Sequence, residues 1–457
     1  MEALMLGVSG MRGTVGGTLT PPVVSQLAAA FASWLKQKKQ PKSGHFRVVF
    51  GRDSRPSGTW VRDAAVSALT ASGVEVIDLD IVTTPGVAMM VKHSNADAAL
   101  IATASHNPIQ WNGIKYLNAD ATALPATEAE ELKKLYFENA TSFVRVQELV
   151  PVVKNSETHT LHIKRVLERV DVNAISAKRF KVVLDSVNGA GCVATATLLN
   201  KLGCQLIHLN ATPNGQFPHE PEPTEKNLTG LAAEVKRQKA ACGFAQDPDA
   251  DRLAIVDENG TYIGEEYSLV LCAYWVMRKK PGVTTVANLS TSRMIDDIVA
   301  KFGGRVVRTP VGEANVVQAM LKENSIIGGE GNGGVIDPRI VAGRDSLVGM
   351  AYVLNLLAET GKTISQLVAE LPRYEIVKTK FDCRREDANR AVDALKKEFA
   401  SEKVDIQDGI RIDWDRAWVH ARPSNTEPIM RIIAEAPDRA EAEKRIADAQ
   451  AVVNRTL

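Results

Sequence analysis

The segment DPDADR places Asp247, Asp249 and Asp251 at alternate positions, with Pro248 opposing a helix. In an extended segment alternate side chains share a face, so the spacing predicts three converging carboxylates. Like charges about 4 Å apart repel by roughly 1 kcal/mol in water and roughly 4 kcal/mol near a protein surface. A cation removes that penalty, and an all-oxygen set suits Mg2+. The plainer reading is a solvated acidic turn. A calcium-loop pattern fails here. Glu258 stands twelfth from Asp247, but the sixth position is Arg252, where that loop requires glycine, and the flanks GFAQ and LAIVD read as strands.

A second reactive group lies in TASHNP, where Ser105 and His106 follow an apolar run. A serine hydrolase would need a separately oriented histidine and acid, and the chain has no GxSxG elbow. A serine near a cation-binding carboxylate cluster and several arginines suits a carrier of phosphate better. His106 reads either as a proton-transfer group or as a structural loop histidine. Lys115, three residues after Asn112 in WNGIK, offers proton transfer, a phosphate contact or an ordinary exposed ammonium.

Three further stretches carry polar groups. GGEGNGG contains a formal GxGxxG from Gly329 to Gly334, but a dinucleotide fingerprint opens a helix, and Pro338 stands in the following VIDPRIVAG. Its glycines instead allow backbone to approach a ligand, with Glu330 and Asn332 as acceptors and donor; a tight turn without ligand is the alternative. The Walker-like TGKT at residues 360–363 lacks the first glycine, because Leu356 holds that position. RPSNTEP sets Arg422, Ser424, Asn425 and Thr426 between two strands, with Arg431 shortly after. That is an anion cradle or a polar hairpin turn. Arg12, in SGMRGTVGG, is an anion ligand or a surface arginine of an entry loop.

These loops recur in a pattern. RVVF, SGVEVIDLD and ADAALIATASHNP form one series of strands; KVVLD, GCQLIHLN and GFAQDPDADR a second; TTVANLSTS, GGRVVRTP and SIIGGEGNGG a third. Each has a helical stretch between its first two strands. Such alternation predicts mostly parallel sheets with crossover helices, and these bind ligands beyond the carboxyl ends of their strands. All three unusual loops fall at that place. From about Arg373 the pattern changes to a small α+β unit ending in a helix from Asp438. Near the start, Thr20 can cap a helix whose first turn holds Pro21 and Pro22, and Leu27, Phe31, Trp34 and Leu35 form its inner face.

A chain of 457 residues is too long for one ordinary core. Hydrophobic content of 45% and charged content of 24% describe a soluble globular protein. A net charge of +1 gives no footprint for nucleic acid or an anionic membrane. The five cysteines are scattered, none in a CxxC pair, and read as free thiols of a reducing compartment. The opening MEALMLGVSGMRG lacks the basic lead of a signal peptide, and the longest apolar stretch, LVLCAYWVM, is half of the about 20 residues a membrane helix needs. The expected location is cytoplasmic.

Taken in order, TASHNP, DPDADR, GEGNGG and RPSNTEP resemble the four signatures of the α-D-phosphohexomutase family, which holds phosphoglucomutases, phosphomannomutases and phosphoglucosamine mutases. The resemblance runs over essentially the whole chain. It implies three similar mixed-sheet α/β domains and a smaller C-terminal α+β domain around a central cleft, here divided at 1–153, 154–257, 258–372 and 373–457. It implies that Ser105 is a phosphoserine, that Asp247, Asp249 and Asp251 hold Mg2+ with a phosphoserine oxygen, and that Arg12 and Arg252 lie near the transferring phosphoryl group. By the same resemblance Glu330 and Asn332 contact sugar hydroxyls, while Arg422, Ser424, Asn425, Thr426 and Arg431 clamp the phosphate that is not reacting. His106 and Lys115 are the proton-transfer candidates.

The implied reaction interconverts hexose 6-phosphate and hexose 1-phosphate through a bound hexose 1,6-bisphosphate, with glucosamine phosphate the favoured sugar. A phosphoglucomutase or phosphomannomutase is the nearest alternative; a metal-dependent sugar phosphatase and a silent sugar-phosphate-binding protein are others. The chain departs from the pattern at Gly334, where some members carry histidine, at Asn332, where many carry serine, and at SGMRG in place of DGIRG.

Overall fold

The computed structural model describes residues 4–7, 10–423 and 429–456. Each of the three repeats contains a parallel trio of strands. In the first, Arg47–Arg52 lies between Glu75–Ile81 and Ala98–Ala102. In the second, Lys181–Asp185 lies between Gln205–Leu209 and Cys242–Gln246. In the third, Thr284–Asn288 lies between Arg305–Thr309 and Ile327–Glu330. The apolar β-branched runs that open each repeat are the central strands, buried on both faces as crossover helices require.

Every trio then gains an antiparallel strand. Ala98–Ala102 pairs with Trp111–Leu117, Cys242–Gln246 with Leu253–Val256, and Ile327–Glu330 with Gly334–Asp337. The sheets are therefore mixed, and the three unusual loops are the turns between a parallel strand and its antiparallel return. This explains why apolar strands stop abruptly at polar groups: each turn must expose its side chains at one end of the sheet.

The first sheet has seven strands, with Gly10–Thr14 beside Trp111–Leu117 and Val152–Lys154 at the far edge. A fourth sheet, wholly antiparallel, takes the order Glu375–Asp382, Ile429–Ala436, Trp418–Pro423, Ile410–Asp413, Lys403–Asp405. Helices Arg385–Glu398 and Arg439–Thr456 pack on it, giving a small α+β unit with its own core.

Helix Pro21–Lys38 buries Leu27, Phe31, Trp34 and Leu35 completely. Thr20 has the extended backbone of a cap, but its side chain makes no capping bond, so the two prolines set the start alone. Helices Glu266–Lys279 and Ser346–Thr360 are apolar nearly all round because one core surrounds them. That core runs from Leu184 and Phe244 of the second sheet to Ala287, Ile327 and Val335 of the third. Each buried Leu, Ile, Val or Phe there contributes about 1.5–3 kcal/mol, so the second and third units hold together as one body. LVLCAYWVM lies inside Glu266–Lys279, and no described helix is long and apolar enough to cross a membrane.

Candidate active site

Ser105 sits in the turn between Ala98–Ala102 and Trp111–Leu117 with φ of 51°, in the left-handed region. Its hydroxyl donates to Asp247 Oδ2 at 2.8 Å and lies 3.3 Å from His106 Nδ1. The second turn curls back on itself: Ala250 has φ of 58°, and Asp247 Oδ1 accepts from the N–H groups of Asp251 and Arg252, both at 3.1 Å. The three aspartates converge through this turn, and not through the extended backbone that their spacing suggested.

Asp249 Oδ2 accepts from Thr84 Oγ1 and Lys115 Nζ, both at 2.7 Å. Asp251 Oδ2 accepts from Arg344 Nη2 at 2.6 Å and Lys115 Nζ at 3.3 Å. The remaining Oδ1 atoms of Asp249 and Asp251 are buried and have no hydrogen-bond partner among the described residues. One carboxylate oxygen from each aspartate lies within 4.8 Å of the others. Orphaned buried oxygens are costly, and hard oxygen donors at this spacing fit a divalent cation such as Mg2+.

Charge around the cluster is divided unevenly. Burial and the two neighbouring carboxylates push Asp247 well above the usual range. Burial also raises Asp251, but Arg344, Lys115 and Arg252 outweigh it and hold that carboxyl far down. Lys115 is pushed down by burial and pulled up further by Asp249 and Asp251, so it stays an ammonium. Burial, with Arg252 and Arg12 nearby, lowers His106 to about 3; at neutral pH its ring is uncharged.

Arg12 arrives on Gly10–Thr14, whose register pairs it with Gly113, two residues before Lys115. Arg12 and Lys115 therefore share a face, and Arg12 reaches Asn107 Oδ1 at 3.4 Å. Arg252 lies 3.6 Å from Glu222, which also faces His106 at 3.8 Å. In the third turn, buried Glu330 accepts from Asn288 Nδ2 at 2.9 Å and Gly312 N–H at 3.2 Å, and from Arg344 Nη1 at 2.9 Å. Asn332 Oδ1 is buried and unpartnered. Arg344 thus joins the second turn to the third.

Arg422 and Arg431 stand directly opposite each other in the fourth sheet and so share a face. Arg422 donates to Asp408 Oδ2 at 3.0 Å, which also accepts from Val311 N–H at 3.0 Å, beside the Gly312 that bonds Glu330. The fourth unit is tied to the third turn by this chain of contacts, not by direct contact of Arg422 with the serine. Ser424, Asn425 and Thr426 lie outside the described residues.

Sequence reasoning missed what holds the serine turn. Arg55, fully buried, donates to the carbonyls of Ser105, Asn107, Pro108 and Trp111 at 2.6–3.0 Å. It pairs with Asp53 at 3.1 Å, and Asp53 accepts from Thr103 Oγ1, which in turn accepts the Ser105 N–H. The signal was present: GRDSRPSG also lies past the carboxyl end of a parallel strand. Arg55→Met leaves Asp53 buried without its cation, which costs about 3–5 kcal/mol. Turnover at this site should fall by about 100-fold as the turn shifts, read from urea unfolding and steady-state kinetics. Wild-type values of both would show that the turn holds itself.

Models of the phosphoglucomutase/phosphomannomutase family match four successive stretches: alpha/beta/alpha domain I over residues 3–142, domain II over 160–260, domain III over 264–374 and the C-terminal domain over 379–451. A curated phosphoglucomutase/phosphomannomutase of Thermococcus kodakarensis is 38% identical over 442 residues, 96% of either chain. A protein of Methanopyrus kandleri named "Probable phosphoglucosamine mutase" is 36% identical over 96% of this chain and 94% of its own. The crystal structure of a phosphoglucomutase/phosphomannomutase family protein from Burkholderia thailandensis superposes with a TM-score of 0.87 at 25% identity, over 99% of this chain and 97% of that one.

Proposed function

Because this chain belongs to the phosphoglucomutase/phosphomannomutase family, we propose that it is a phosphohexose mutase that works through phosphorylated Ser105 and prefers glucosamine 6-phosphate. The observation that carries the reading is the Ser105 hydroxyl 2.8 Å from Asp247, beside two buried carboxylate oxygens that lack partners.

In the forward half-reaction a sugar hydroxyl attacks the phosphoryl group on Ser105. The bond from phosphorus to Ser105 Oγ breaks as the bond to the sugar oxygen forms. The hydroxyl proton ends on the serine oxygen, and His106, whose Nδ1 lies 3.3 Å from that Oγ, orients the oxygen that receives it. The bound 1,6-bisphosphate turns end for end, and the same steps in reverse return the other phosphoryl group to Ser105. Mg2+, held by Asp247, Asp249 and Asp251, supplies charge neutralisation for the phosphoryl oxygens when bound. Lys115, Arg12 and Arg252 add fixed positive charge at the same place.

Glu330 and Asn332 hold sugar hydroxyls in this scheme. Arg422, Ser424, Asn425, Thr426 and Arg431 clamp whichever phosphate is idle, so one cradle serves both orientations. The separate core of the fourth unit lets it close over the bisphosphate and exclude water. The preference for an amino sugar is supported by whole-chain similarity to relatives named "Probable phosphoglucosamine mutase". A glucose or mannose phosphate preference is the second reading, favoured by the name of the 38% identical relative.

The deciding measurement compares kcat/KM for glucosamine, N-acetylglucosamine, glucose and mannose phosphates, with a trace of 1,6-bisphosphate. The amino sugar should lead by about tenfold or more, which needs only about 1.4 kcal/mol of extra transition-state binding. A lead for glucose or mannose phosphate would install the second reading, and steady release of inorganic phosphate would make the protein a phosphatase.

A further inference from the structure

Arg344, the last residue of strand Val341–Arg344, collects carboxylates from three separate connections. Its Nη2 donates to Asp251 of the cation turn at 2.6 Å and its Nη1 to Glu330 of the sugar turn at 2.9 Å. Its Nε lies 2.8 Å from Glu313, in the first turn of helix Glu313–Lys322. Its side chain is only 12% exposed. The planar guanidinium holds its acceptors in fixed directions, which an ammonium on a flexible stem does not.

The path to these partners crosses Gly334. Strands Gly334–Asp337 and Val341–Arg344 are antiparallel with Ile336 opposite Arg344, which places Gly334 on the same face one diagonal step away. A Cβ on Gly334 would meet Arg344 Cγ at 2.9 Å and its Cδ closer still. Gly334 has an ordinary backbone angle, since its φ is not positive. The glycine is therefore required by the volume of the arginine and not by the turn.

We propose that Arg344 is a positioning residue for the transfer reaction: it fixes the cation turn against the sugar turn, so that a hydroxyl held by Glu330 meets the phosphoryl group beside Asp251, and Gly334 makes room for it. This rests on the mutase reading above. Asp251 and Glu330 belong to the second and third units, whose shared core brings their backbones close. Their carboxylates would repel each other without the guanidinium between them. Arg344 sets that separation.

The test uses the full chain and sugar-phosphate turnover in four proteins besides wild type: Arg344→Ala, Arg344→Lys, Gly334→Ala and the double variant Gly334→Ala/Arg344→Ala. A misplacement on the ångström scale should lower kcat by about 100-fold in each single variant, with Ser105 phosphorylation by intact mass retained. The double variant should fall no further than Arg344→Ala alone, because the two nearest atoms a Cβ would meet belong to the arginine. Added guanidinium ion should restore part of the kcat of Arg344→Ala and leave that of wild type unchanged, which a merely structural loss would not show.

An Arg344→Ala kcat within about threefold of wild type, or a loss that adds to that of Gly334→Ala and ignores guanidinium, overturns the proposal. Should Arg344→Ala not fold, Gly334→Ala decides alone, and wild-type kcat there sinks the idea. A wild-type protein that interconverts no sugar phosphate defeats the mutase reading itself, which is seen before any variant is compared.

Discussion

Ser105→Ala should abolish sugar-phosphate interconversion, lowering turnover by about 10⁴-fold or more, the usual scale for removing the atom that carries the transferred group. The loss should be chemical and not structural. Alanine fits the left-handed backbone at this position no worse than serine does, and Arg55 still grips the turn through four carbonyls. What disappears is one buried hydrogen bond to Asp247, worth about 0.5–1.5 kcal/mol. The melting temperature should hardly move, while intact mass shows that the protein no longer accepts a phosphoryl group from a 1,6-bisphosphate. Wild type should carry that group on the peptide containing Ser105. Full turnover by Ser105→Ala would end the phosphoserine mechanism, since no other hydroxyl is described hydrogen-bonded to Asp247.

The same turn shows where sequence is informative. TASHNP and DPDADR carry their reactive groups within six residues each, so type and spacing alone exposed Ser105 and the three aspartates. The geometry was less legible. The aspartates meet because Ala250 adopts a left-handed conformation and Asp247 caps two N–H groups of its own turn, a local fold that alternation does not encode. The parallel trios followed from the apolar runs, but the return strands did not. WNGIKYL interrupts its apolar residues with glycine and lysine, and Gly334–Asp337 is only four residues long.

Arg55 and Arg344 were illegible for a different reason. The turns they hold lie about 50 residues and 93 residues away along the chain, at Ser105 and Asp251, and the tertiary fold brings them together. The arginines that could be read, Arg12, Arg252 and Arg422, stand inside or beside a motif. The two that could not are those that hold the motifs in place. Long-range positioning of this kind leaves a local trace only as a glycine where a side chain has been excluded, as at Gly334.

Asp249→Asn should separate the cation's contribution from that of the fold. In the wild type, Asp249 Oδ2 is bound by Lys115 and Thr84, while Oδ1 is buried with no hydrogen-bond partner among the described residues. An asparagine oriented by the same two donors presents its NH2 group to the cation position, replacing an acceptor with a donor. Without metal, the change removes one attraction to Lys115 and one repulsion from Asp251 at similar range, so the two effects largely cancel, and Lys115 keeps Asp251. The metal-free variant should melt close to wild type.

Adding Mg2+ should then distinguish them. Wild type should gain about 2.7 kcal/mol at a hundredfold excess over its Kd, and Asp249→Asn almost nothing at the same concentration. Turnover should drop by about 10³-fold, the scale of losing a main electrostatic stabiliser of the transition state. Equal stabilisation by Mg2+ in both proteins would place the ion elsewhere, whatever the kinetics. Lost turnover with normal Mg2+ stabilisation would instead assign Asp249 to holding Lys115, the cationic donor to its carboxylate.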